Sequence, residues 1–248
     1  MNAFVLLADG FEECEALIVV DILRRAGVGT LMASVMGRLE VVSSRHIHVL
    51  ADVQAEEIAF DSADLLVLPG GRLGTENLAK SAIVREQCRI FAAADGTGGE
   101  GNVDLAAHGT ARGGDADPAG KSLSGEKPFS EAAVSSEQLR DSGDTAAGQS
   151  IVPMGKLPLA HKRLAAICAA PSLLAELGLL EGKPATCHPD FEGQMKGAVL
   201  TGQSVTVAGN IITGQGLGAT FDFAFELVRQ LVGEEKVDQI KKAICWRG

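Results

Sequence analysis

Three side chains and one glycine pair in this 248-residue chain combine reactive chemistry with surroundings that could expose it: Cys168, Glu15, His188 and Gly70-Gly71. Cys168 lies in Leu164-Ala165-Ala166-Ile167-Cys168-Ala169-Ala170-Pro171. A nucleophile on a sharp strand-to-helix turn needs small neighbours, because the backbone is cramped there. Ala166 and Ala170 meet that need, and Pro171 suits the first turn of a following helix. The free N–H groups of such a helix start would favour thiolate over thiol and could hold an oxyanion formed on a substrate. A buried structural cysteine fits the same residues, and pattern alone leaves both readings open.

Glu15 belongs to Asp9-Gly10-Phe11-Glu12-Glu13-Cys14-Glu15, directly after the first apolar run. A carboxyl group beside a thiolate has a raised pKa and can serve as acid or base. Acids are also favoured at any helix N-terminus. That is the preferred account of Glu12 and Glu13, and spacing does not separate Glu15 from them. His188, in Ala185-Thr186-Cys187-His188-Pro189, could carry protons for a cysteine nucleophile, although loop histidines are commonly surface residues. Cys187 would be a second oxidisable thiol if exposed. His46, His48, His108 and His161 fall in no constellation and read as surface residues. Leu68-Pro69-Gly70-Gly71 could bring a backbone N–H close to a ligand. Gln215-Gly216-Leu217-Gly218 reads as a tight turn.

These residues need a scaffold, and the pattern supplies one. AFVLLA (3–8) reads as a buried strand stopped by Asp9-Gly10. The helix that follows repeats Ala16, Val19, Val20 and Leu23 on one face and stops at Gly27. VGTLMASV and ADLLVLPGG read as strands two and three, with a polar hairpin-like stretch between them. Residues 77–94 read as helix, LAAICAA as a strand running into helix PSLLAEL, VTVAGNIITG as further strands, and TFDFAFELVRQLVG as an amphipathic helix. Alternating strands and helices predict an α/β fold with a mostly parallel sheet covered on both faces. In such a sheet, ligands bind beyond the C-terminal ends of the strands.

Residues 95–150 differ from the rest. They hold 11 of the 30 glycines and contribute -6 of the net charge of -10, with only six large apolar residues. That composition buries too little surface to offset its ordering entropy. The stretch reads as a disordered or loosely ordered insertion, extending to 158 as a tether, that interrupts a single domain spanning 1–248. Following a helix and preceding a strand, it is expected at the N-terminal edge of the sheet, away from a site at the other edge.

The acidic balance, 32 Asp+Glu against 22 Lys+Arg, argues against nucleic-acid binding and gives no reason for attraction to an anionic membrane. Five cysteines at irregular spacing, without CxxC, argue against a disulfide framework or a zinc module. The start MNAFVLLADGFEE fits no signal or transit peptide, so the cytosol is the expected compartment. There is no GxxxxGK[ST] and no GxGxxG opening a helix after the first strand.

Together LADGFEECEA, VDILRRAG, SSR, DLLVLPGG, LAAICAAP, ATCHP and the GxGxxxFDFA stretch resemble the DJ/ThiJ/PfpI superfamily, in the branch of the parkinsonism-associated protein deglycase. The resemblance covers residues 3–94 and 159–244. It implies a flavodoxin-like α/β sandwich, usually a homodimer. It places the reactive cysteine at Cys168, its acid partner at Glu15, its histidine at His188 and an oxyanion-holding N–H at Gly71, with Ala169 as the second donor. Arg45 and Arg25 match arginines near the interface or site, and Asp21 a neighbouring acid. The implied activity is cofactor-free and metal-free: conversion of methylglyoxal to lactate, or repair of early glycation adducts on proteins. The alternative is a redox-sensing, stress-protective chaperone built on the same cysteine. The insertion, Ala170 after Cys168-Ala169, and Leu217 and Ala219 in the Gly216-Leu217-Gly218-Ala219 turn depart from the family pattern.

Overall fold

The N-terminal apolar run forms β1 (Asn2–Leu7), the central template of a seven-stranded sheet. The structure, a computed structural model, describes residues 1–94 and 162–247. Residues 95–158, read above as an insertion, lie outside the described residues.

After β1 come α1 (Glu13–Arg25), β2 (Gly29–Ser34), a β3–β4 hairpin (Glu40–Val42 and His48–Leu50), β5 (Val53–Gln54) and β6 (Leu65–Leu68). They are followed by α2 (Arg72–Lys80), α3 (Ala82–Ala92), β7 (Arg163–Ile167), α4 (Pro171–Glu176), β8 (Pro184–Ala185) and β9 (Val199–Leu200). The chain closes with β10 (Val205–Ala208), β11 (Ile211–Gly214), α5 (Thr220–Leu231) and α6 (Glu234–Ala243). The sheet order is β10-β11-β7-β6-β1-β2-β5, parallel except where the β10–β11 hairpin runs antiparallel. This is the mostly parallel flavodoxin-like α/β sandwich expected.

Period-two alternation explains why both faces are covered. Ala3, Val5 and Leu7 of β1 join one core with α1, α5 and α6. Phe4 and Leu6, with Ala8 just beyond, join the other with α2, α3 and α4. A strand buried on both sides reads as a continuous apolar run. Ala16, Val19, Val20 and Leu23 all face the core. They pack with Phe223 and Leu227 of α5. Truncating fully buried Phe223 to alanine is expected to cost about 3–5 kcal/mol.

One element reads differently from the pattern. Residues 77–94 are not one helix. Helix α2 begins at Arg72, and Ser81, in extended conformation, ends it and caps α3 by accepting from the Val84 N–H at 3.4 Å. A serine oxygen satisfies a free helix N–H better at a cap than inside a helix.

Three strands deliver their C-terminal ends to one place. Beyond β1 the chain runs to Gly10, beyond β6 to Gly70-Gly71, and beyond β7 to Cys168. At the opposite edge the described flanks of the insertion meet. The Asn210 amide lies 2.6 Å from the Ala94 carbonyl and 3.3 Å from that of Lys162.

Candidate active site

Cys168 is the first residue after β7, and it sits at φ 63°. A non-glycine residue held there is strained, so surrounding structure must hold it. Its N–H donates to Gly214 O on β11, and its carbonyl accepts from His188 N–H, both at 2.9 Å. Ala166 and Ala170 are fully buried on either side, as a cramped turn requires. Pro171 opens α4. The sulfur stays partly exposed.

Glu15 separates from its neighbours once the chain is folded. Its side chain is fully buried, with Oε2 accepting from the Gly70 N–H at 2.9 Å and Oε1 lacking any partner among the described residues. Glu12 is the N-cap of α1 and accepts from the Glu15 N–H at 2.8 Å, the structural role expected of it. Glu13 does more than decorate the helix. It is buried, and Ser44 Oγ donates to it at 3.3 Å. Burial pushes its pKa up, but hydrogen bonds from its own N–H, Ser43, Ser44 and the Arg45 backbone outweigh burial and hold it below the ordinary value. This bond docks the turn between β3 and β4 on the start of α1.

The glycines explain how a carboxyl and a thiol come together. A Cβ on Gly70 would lie 2.5 Å from both Glu15 Oε2 and Cys168 Cβ, and 3.0 Å from Cys168 Sγ. The two groups therefore flank a space that only glycine leaves open. Gly71 has φ 88°, and a Cβ there would collide with Gly10 and with Glu12 N at 2.8 Å. It is the residue from which α2 starts. The backbone N–H groups of Gly71 and Ala169 act on the Cys168 sulfur in favour of the thiolate.

Burial pushes the Glu15 carboxyl up to about 7, against the pull of Cys168 and the Gly70 N–H. Burial and the Glu15 charge also push the Cys168 thiol up to about 12, while the Gly71 and Ala169 N–H groups pull it down. This differs from the sequence expectation of a thiolate favoured by a helix start alone. The upward push from Glu15 disappears when Glu15 carries a proton. The two groups are therefore electrostatically coupled, and the charge on one strengthens the other's hold on its proton.

His188 caps the turn Pro189–Gln194, and its Nδ1 accepts from the Asp190 N–H at 3.2 Å. With Nδ1 so engaged, Nε2 is the ring nitrogen left for a ligand. The segment leading to it hangs from β11, where Thr213 Oγ1 accepts the Thr186 N–H at 3.0 Å. Cys168, Glu15, His188 and Arg45 all line one open pocket of about 620 Å³, within the size range of small-molecule sites.

Asp21 and Arg25 are not brought there. They pair with each other at 2.7 Å on the exposed side of α1. Cys187 is buried, and burial with the Glu192 charge pushes its thiol up to about 11, so it does not meet the exposure condition for a second oxidisable thiol. His46 and His48 are exposed as expected, whereas His108 and His161 lie outside the described residues. Thr213, and Ser204, which lines the same pocket, escaped the sequence reading, and Glu13 was read there only as a helix-start acid. Among the described residues no three His, Cys, Asp or Glu side chains form a metal-binding group, and no helix is long and apolar enough to cross a membrane.

A strained cysteine at a strand end, against a buried acid and two N–H groups, is an architecture for cysteine chemistry on an α/β sandwich. The DJ-1/PfpI family model matches residues 1–113 and 154–230, and the chain belongs to that family. It is 28% identical over 245 residues to protein dj-1beta of Drosophila melanogaster, covering 98% of this chain and 96% of that protein. It is 21% identical over 247 residues to the glutathione-independent glyoxalase DJR-1.2 of Caenorhabditis elegans, covering 98% and 96%. The crystal structure of Drosophila melanogaster DJ-1beta superposes with a TM-score of 0.69 at 26% identity, covering 100% of this chain and 98% of that one.

Proposed function

We propose that the protein is a cofactor-free, cysteine-dependent enzyme acting on reactive dicarbonyls, of the kind that turns methylglyoxal into lactate or reverses early glycation adducts on protein side chains. The observation that carries this reading is the buried Glu15 carboxyl, one oxygen unpartnered, against the Cys168 sulfur in an open pocket. Family membership and the likeness to a glyoxalase support it.

In the first step the Cys168 thiolate attacks the aldehyde carbon. A C–S bond forms and the carbonyl π pair moves to oxygen. The N–H groups of Gly71 and Ala169 hold that oxyanion, and the proton of Glu15 neutralises it to a hemithioacetal. Glu15, now a carboxylate, removes the proton from the same carbon and returns it to the neighbouring carbon, while the hemithioacetal hydroxyl proton passes by way of His188 to the neighbouring oxygen. A thioester of the 2-hydroxy acid results. Water adds to the thioester carbon and the C–S bond breaks, releasing lactate and the Cys168 thiolate; one proton of the water returns to Glu15 and the other goes to solvent. His188 donates from Nε2 to the second carbonyl oxygen. In the repair variant the hemithioacetal forms on the side-chain adduct instead. The enzyme works in the cytoplasm as a homodimer, with Arg25, Arg45 and Asp21 at or near the contact between subunits.

The test is methylglyoxal consumption without glutathione, with lactate as product, for wild type and Cys168→Ser. The variant is expected to lose at least about a thousand-fold in kcat. Full turnover by Cys168→Ser overturns the reading. A reduced wild type that consumes no methylglyoxal shifts the weight to the redox-sensing chaperone. There a protonated Glu15 would donate to oxidised Cys168.

A further inference from the structure

On one side of the Cys168 sulfur stand Glu15 and the Gly70 backbone, with the N–H groups of Gly71 and Ala169 acting on it as well. On the pocket side, Gly216 stands beside both the sulfur and the His188 ring, and all three line the pocket. A Cβ on Gly216 would lie 3.5 Å from His188 Cδ2 and 4.0 Å from Cys168 Sγ, and would meet nothing else within 4 Å.

Those distances are ordinary van der Waals contacts, and the backbone there, φ 163° and ψ -166°, is extended. Nothing in the fold therefore demands glycine at this position. A reacting carbonyl carbon must come within about 3–3.5 Å of the sulfur. A methyl group 4.0 Å from that sulfur, against the imidazole, would stand in its path. Just beyond, Leu217 is half exposed at the pocket rim and offers an apolar surface to whatever follows the carbonyl.

We propose that Gly216 is the specificity-determining residue of this site. Its missing side chain leaves the lane between Cys168 and His188 through which the electrophile reaches sulfur, and it admits 2-oxoaldehydes bearing a bulky apolar substituent. The substrate class rests on the enzyme reading above; the lane rests on geometry alone.

The experiment compares wild type with Gly216→Ala, using methylglyoxal and phenylglyoxal as substrates. Expected are an unchanged melting temperature, a fall in kcat/KM of roughly ten-fold for methylglyoxal, and a fall of roughly a hundred-fold for phenylglyoxal. Equal falls, or none, overturn the specificity assignment while leaving the enzyme reading intact.

A second readout does not need turnover. Alkylation of Cys168 by iodoacetamide and by bulkier N-ethylmaleimide is followed peptide by peptide, with exposed Cys14 and Cys245 as internal references. The variant is expected to slow the maleimide several-fold more than iodoacetamide at Cys168 only. No such contrast overturns the lane. Labelling of fully buried Cys88 in the variant would mean that alanine is not tolerated, which overturns it too. If wild type turns over neither dicarbonyl, the enzyme reading has failed, and the alkylation contrast still decides the role of Gly216.

Discussion

The two edges of the central sheet treat buried polar groups in opposite ways. At the N-terminal edge, Asn210 before β11 has its amide within hydrogen-bond distance of four carbonyls, the nearest at 2.6 and 2.7 Å. Lys162 before β7 is buried, donates to the carbonyls of Phe60, Asp61 and Ala63, and lies 4.6 Å from the centre of the Phe91 ring. At the C-terminal edge, Glu15 is just as buried and leaves one oxygen without a partner beside a strained cysteine. Satisfied buried groups hold a fold in one arrangement, whereas an under-satisfied one costs free energy and is kept where chemistry uses it. The fold is held at one edge and left reactive at the other.

If that contrast is real, substitutions at the two edges must separate stability from activity. The largest effect belongs to Glu15→Gln. It is expected to lower kcat by roughly a hundred- to ten-thousand-fold, read as lactate formation. The same change should stabilise the protein above pH 7. The folded-state pKa, about 7, lies above the ordinary value of 4.5, so the folded wild type binds the proton more tightly and loses stability as pH rises through that window. The loss amounts to about 3 kcal/mol at most. Melting curves from pH 4 to 8 should therefore fall for wild type more steeply than for the variant; parallel curves would remove Glu15 from the explanation.

Asn210→Ala is the mirror image. Stripping the clamp leaves buried carbonyls unsatisfied and should lower unfolding free energy by roughly 2–4 kcal/mol in urea titration, with kcat/KM per folded molecule unchanged. A proportionate loss of kcat/KM would show that the edges are not independent. Lys162→Met keeps the packing of the stem but loses three carbonyl partners, and roughly 1–3 kcal/mol should disappear in the same titration. The smallest effect is expected for Arg25→Ala. Its pair with Asp21 is exposed, so the melting temperature should not move measurably. A weakened dimer in sedimentation, at constant melting temperature, would assign Arg25 to the subunit contact.

Much of the scaffold was legible because burial on both faces of a parallel sheet writes itself into the chain as apolar runs. AFVLLA and DLLVLP could be read directly, and the i, i+3, i+4, i+7 face of α1 came out residue by residue. The break at Ser81 was not legible, because a mid-segment serine fits both a helix and a cap. Helix α6 went unread because it buries only Val237 and Ile240 and so carries a weak apolar period. At the site, Cys168 and the Gly70-Gly71 exit announced themselves by small neighbours. Glu15 could not be told from Glu12 and Glu13, since a helix start favours all three.

Residue order alone determined that a cysteine would follow an apolar strand, that acids would follow another, and that glycines would end a third. Local spacing carries that information, because strands and helices impose it over a few residues. Only the tertiary structure decided which acid meets the sulfur. Glu15 is separated from Gly70 by 55 positions and from Cys168 by far more, and three strands must pair in register before their ends converge. Convergence buries the carboxyl beside the thiol, and burial raises the pKa of both. A pKa set by desolvation belongs to the assembled environment and has no counterpart in the order of residues.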